Sequence, residues 1–131
     1  MQKEFIPYEE ALALKELGFD ESCMYIFDKQ RNNLMCPIYG LFENEEPNRF
    51  LNAPLYQQAF RWFREKYGLV HTVYSNASGY IWELHYNQER GGTHICDSGE
   101  SGDCEMSGMF TTYEKAELEC LKKLIDIVKT K

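Results

Sequence analysis

Residues 54–69, Pro54-Leu55-Tyr56-Gln57-Gln58-Ala59-Phe60-Arg61-Trp62-Phe63-Arg64-Glu65-Lys66-Tyr67-Gly68-Leu69, decide how the rest of the chain is read. Proline suits a helix start, because the first turn leaves that N–H unpaired in any case. At a period of about 3.6 residues, Leu55, Tyr56, Ala59, Phe60, Trp62, Phe63 and Tyr67 share one broad apolar arc. Gln57, Gln58, Arg61, Arg64 and Glu65 occupy the other side. Phe60, Trp62 and Phe63 can each bury about 150–250 Å², a large contribution from so short a segment. Gly68 supplies a left-handed stop, and Leu69 folds back as its apolar contact. The segment predicts a helix packed on a sheet.

Working outward toward the C-terminus, residues 69–74 and 80–86 flank Ser75-Asn76-Ala77-Ser78-Gly79, a hairpin signal. Tyr80, Trp82, Leu84 and Tyr86 alternate with Ile81, Glu83 and His85, so the aromatic set should face the core. A tight turn places Val73 opposite Trp82 and His71 opposite Leu84, which turns His71 toward the helices. Residues 87–107 hold several glycines and acids and little that is apolar, and predict a flexible loop. Met109-Phe110 adds a short strand. Thr111, with Glu114 three residues on, reads as the capping box of a final helix. That helix should bury Tyr113, Ala116, Cys120, Leu121, Leu124, Ile125, Ile127 and Val128.

Toward the N-terminus, residues 7–17 predict a first helix with Ala11, Leu14 and Leu17 inside and Gly18-Phe19 as its stop. Strands are expected at 23–27 and 34–42, the second at a sheet edge because of Pro37. Residues 43–52 read as a polar connection. Each helix opens with Tyr-x-x-Ala: Tyr8 and Ala11, Tyr56 and Ala59, Tyr113 and Ala116. The order α-ββ-α-ββ(β)-α suggests two related αββ units and a closing helix. The resulting expectation is a single α+β domain spanning residues 1–131. It would have one antiparallel sheet of four to five strands, three helices on one face, and a glycine-rich acidic loop at about 87–108.

Three phrases carry a resemblance: residues 5–12 (FIPYEEAL), 57–67 (QQAFRWFREKY) and 112–118 (TYEKAEL). They resemble a family of small uncharacterised proteins of bacteriophages and mobile elements of gut Bacteroidetes. Residues 91–108 stand outside that pattern. The resemblance implies a habitat, a phage or its bacterial host's cytoplasm, and no activity.

Composition narrows the classes further. A net charge of −7 argues against non-specific nucleic-acid binding, which depends on Lys and Arg neutralising phosphates. No run reaches the ~18 apolar residues of a membrane span. Five cysteines (Cys23, Cys36, Cys96, Cys104 and Cys120) without a secretory leader point to reduced thiols and a cytoplasmic protein.

No Gly-x-Ser-x-Gly, P-loop, Gly-x-Gly-x-x-Gly or His-Glu-x-x-His motif is present. Cys23 or Cys36 could meet His71 or His85 only through folding. His94, Cys96 and Cys104 are the weak metal candidates, of a softness that suits zinc but at no standard finger spacing. The alternatives are a plain solvent-exposed loop and a Cys96–Cys104 disulfide. On helix two, Gln57, Arg61 and Arg64 align at i, i+4 and i+7, and two arginines can grip a phosphate or carboxylate. The leading expectation is a non-enzymatic interaction protein acting on a host factor, without cofactor. The alternatives are a binder of a small nucleotide-like anion at Gln57, Arg61 and Arg64, and a small enzyme.

Overall fold

The computed structural model describes residues 4–28, 33–35, 50–101 and 109–130. The chain is α+β and divides into two compact units, Met1–Tyr56 and Gln57–Lys131. In place of the expected single sheet, the described residues form two three-stranded antiparallel sheets. The hairpins read from the sequence form, but each gains its third strand from a segment that looked like loop.

In the first unit, α1 (Tyr8–Glu16) starts after Pro7. It closes at Gly18 (φ 104°), with the Phe19 N–H donating to the Leu14 carbonyl at 2.9 Å. Ala11 and Leu14 are buried as the periodicity requires, and Leu17 is half-buried. Strand β1 (Tyr25–Asp28) is central, with β2 (Asn33–Met35) on one side and β3 (Phe50–Ala53) on the other. Strand β3 corrects the polar reading of 43–52 at its C-terminal end. Leu51 and Ala53 alternate inward at 2% and 1% exposure, and Leu51 lies opposite Phe27. Four residues after an acidic run are too short a signal to read as a strand. Pro37 and Cys36 lie outside the described residues, although β2 is an edge strand.

In the second unit, α2 (Tyr56–Tyr67, its first residue in the first unit) buries Ala59, Phe60, Trp62 and Phe63. It stops at Gly68 (φ 69°), and Leu69 is fully buried behind it. Strands β4 (Leu69–Asn76) and β5 (Gly79–Tyr86) pair with Val73 opposite Trp82 and His71 opposite Leu84, the register expected. Asn76 closes the turn by accepting from the Ser78 and Gly79 N–H groups through Oδ1. Gly79 has φ 151°, and a Cβ there would sit 2.7 Å from the Phe110 carbonyl oxygen. That close approach comes from a reciprocal backbone pair between Tyr80 and Phe110, both bonds 2.9 Å.

The expected loop at 87–108 is corrected over its described part. A 3-10 turn (Gln88–Arg90), strand β6 (His94–Asp97) and a helical turn α3 (Ser98–Ser101) occupy 88–101. The Tyr86 N–H donates to the Thr93 carbonyl and the Gly92 N–H to the Asn87 carbonyl, so backbone bonds supply what apolar side chains do not. Residues 102–108 lie outside the described residues.

The closing helix α4 (Tyr113–Lys129) packs across β4 and β5. Its cap is Thr112, one residue later than expected, accepting from the Lys115 N–H through Oγ1 at 3.2 Å. Ala116, Cys120, Leu121, Leu124 and Ile125 are buried. Tyr113 is instead exposed, with its ring edge-on to Tyr80 at 6.0 Å. The three long helices therefore do not share one face of one sheet. Helix α1 packs with β3 in its own unit, and α4 covers the second sheet.

Candidate functional site

Gln57, Arg61 and Arg64 are all exposed along the outer ridge of α2. The opposite face of the same helix is locked into the core, with Ala59 and Phe63 at 0% exposure. The ridge is thus presented on a rigid support. On the far side of the helix from this ridge, Lys66 lies over Trp62, its Nζ 4.9 Å from the ring centroid. Arg64 and Lys66 stand in the last turn, where the helix dipole is negative and stabilises cations.

Beneath the ridge, the His71 ring stacks on Phe60 with centroids 3.6 Å apart and planes 8° from parallel. Burial, and then the nearby charge of Arg64, pull the His71 pKa down from 6.5 to about 4, so the ring is neutral at physiological pH. His71 Nδ1 and Trp82 Nε1 are both buried, without a hydrogen-bond partner among the described residues. The register makes these two residues diagonal neighbours on the α4-facing side of the sheet.

The weak metal candidates separate. Leu84 pairs with Cys96 and His85 with His94, so Ile95 is an extra residue on β6. In a regular strand residues i and i+2 share a side, and this bulge puts the two on opposite sides instead. Cys96 falls on the side of fully buried Leu84, where it influences Cys120 of α4. His94 falls on the opposite side, its Nδ1 3.2 Å from Glu83 Oε1. Cys104 lies outside the described residues. Among the described residues no three His, Cys, Asp or Glu side chains are grouped to hold a metal.

On α4, burial and then the neighbouring Glu114 raise the Glu117 pKa from 4.5 to about 7. Burial, then Cys96 and Glu117, push the Cys120 thiol far above its usual value, which makes it an unreactive packing group. Of the Cys/His pairs considered, Cys36 is outside the described residues, while Cys23 belongs to the first unit and His71 and His85 to the second.

Sequence reading missed one feature of the first unit. Ala11, Lys15, Phe19, Asp20, Leu51 and Asn52 line a cleft of about 280 Å³. Those residues come from α1, the segment after it and β3, and only folding joins them. No family model matches the chain, and no curated protein or solved structure is detectably similar to it.

Proposed function

We propose that this chain is a binding protein without catalytic activity, presenting the outer ridge of α2 to a partner protein. The observation that carries this is the exposed line of Gln57, Arg61 and Arg64 on a helix whose other face is immobilised. In a chain of net charge −7 this local pair of arginines fits an acidic segment of a partner. A free anion such as a nucleotide is the weaker reading. Phosphate sites use helix N-termini, whereas Arg64 stands at the negative end of α2. The resemblance of the three helices to phage and mobile-element proteins would make the partner a host-cell protein. No described helix is long and apolar enough to cross a membrane.

Photo-crosslinkers placed at Gln57 and at Arg61 should capture the same host protein, and Arg64→Glu should abolish both adducts. Nucleotides should give no thermal shift. A ligand at 100 times its Kd would add about 2.7 kcal/mol, so a shift lost in Arg64→Glu would transfer the site to a free anion.

A further inference from the structure

The cleft of the first unit has the composition of a small-molecule site. Its floor is apolar: Leu51, Ala11 and Phe19 are 2%, 3% and 7% exposed. Its rim carries one positive side chain, Lys15, and one negative, Asp20, both exposed. Among the described residues neither of these charges is paired, with the other or with a third group. Asn52 completes the rim. Its Nδ2 donates to the Glu21 carbonyl at 3.3 Å, which leaves Oδ1 as an acceptor.

The cleft exists because of how α1 ends. Gly18 in the left-handed region lets the chain reverse, and the Phe19 N–H returns to the Leu14 carbonyl. Phe19 is thereby laid against the helix end while Asp20 is carried past it toward β3. The Asn52–Glu21 bond then ties this segment to the edge of the sheet. Backbone geometry, rather than long flexible side chains, fixes the positions of Phe19, Asp20 and Asn52.

We propose that this cleft binds a free α-amino acid with an aliphatic side chain. Lys15 takes the carboxylate, Asp20 and Asn52 Oδ1 take the ammonium, and the side chain lies on Ala11, Phe19 and Leu51. Other classes fit less well. A purely apolar guest leaves both rim charges unused, and a polyanion is repelled by Asp20. At about 280 Å³ the cleft falls just below the range of about 300–1,000 Å³ typical of drug-sized ligands, which suits one amino acid better than a nucleotide. The site is separate from the α2 ridge and does not rest on the function proposed for it.

The test is an amide-resolved NMR titration of the full chain with leucine to about 10 mM, enough to saturate a site of millimolar Kd. Leucinamide, which lacks the carboxylate, and 4-methylpentanoate, which lacks the ammonium, are titrated in parallel. Saturable shifts at Ala11, Phe19, Leu51 and Asn52 are expected with leucine. Each analogue should bind at least about tenfold more weakly, the size of one lost charged hydrogen bond. Lys15→Gln should weaken leucine but not leucinamide, and Asp20→Asn should weaken leucine but not 4-methylpentanoate. Both positions are exposed, and an otherwise unchanged spectrum confirms the fold of each variant. No saturable shift with leucine, or equal binding of all three compounds, would overturn the proposal.

Discussion

Helices α1 and α2 begin alike and end alike, yet they bury very different amounts. Aligned on Tyr8 and Tyr56, Ala11 matches Ala59, and both are buried. The next positions diverge. Leu12 stands where α2 has Phe60, Leu14 where it has Trp62, and Lys15 where it has Phe63. Phe63 is wholly buried and Lys15 is exposed. The third strand also differs, since β3 joins the first strand of its hairpin and β6 the second of its own. Shared start and stop signals therefore specify a helix followed by a hairpin, and nothing more. The mass of the side chains between those signals decides whether the helix closes its unit or leaves a cleft.

The comparison breaks most visibly at Phe63. If the aromatic face of α2 holds the second unit together, Phe63→Ala should cost about 3–5 kcal/mol by urea denaturation. A loss below about 1 kcal/mol would mean that α2 is no better anchored than an exposed helix. Leu14→Ala at the matching stretch of α1 removes a smaller group, and the two midpoints measured together rank the units directly.

The second unit also holds two shifted titrations whose effects on stability have opposite sign. His71 has its folded pKa lowered to about 4, so an unfolded chain takes up the proton first as pH falls from 6.5. Stability supplied by neutral His71 is complete above 6.5 and is lost as pH falls through about 4, by up to about 3 kcal/mol. His71→Phe keeps a ring on Phe60 and should flatten that part of the acid limb. Wild-type and variant limbs of equal slope would contradict the burial of this histidine. Glu117 behaves the other way. Its folded pKa is raised to about 7, so it disfavours the fold as pH rises from 4.5 to 7 and beyond. Glu117→Gln should raise Tm at pH 8 and leave it unchanged near pH 4. The effect should be smaller than at His71, because the carboxyl is half-exposed and solvent screens it. A Tm rise of equal size at both pH values would point to packing instead.

Periodicity made the second unit legible in detail. The alternation in 80–86 and the turn at Asn76 pin the β4–β5 register, and that register alone turns His71 toward α2. No such alternation marks β6, and the glycines and acids around it make 87–107 read as loop. Within the strand the Ile95 bulge puts His94 and Cys96 on opposite sides, and no residue type in that stretch announces a bulge. Strand β3 was hidden by its brevity, and the two-sheet arrangement by the ease of adding four strands into one. On α2 the ridge of Gln57, Arg61 and Arg64 was visible because helical spacing is local. The cleft was not, since Lys15, Asp20 and Asn52 read singly as solvated side chains and gain meaning only when α1 and β3 pack.

The smallest expected effect tests the comparison at its hinge. If the cleft is open because Lys15 stands where α2 carries Phe63, then Lys15→Phe should lay a ring over Ala11, Phe19 and Leu51. Filling a cavity in this way commonly stabilises by about 0.5–2 kcal/mol. The ring replaces a Lys stem that already covers some apolar surface, so a gain near the lower end is expected, read as a small rise in Tm. The same variant should lose the leucine-induced shifts entirely, because both the space and the cation are gone. Lys15→Met separates the two, since it keeps a long apolar stem without the charge and should leave Tm nearly unchanged. A fall in Tm for Lys15→Phe would mean that the surrounding backbone, not the side chain at this position, sets the cleft. The two helices would then differ in how they sit on their sheets rather than in what they carry.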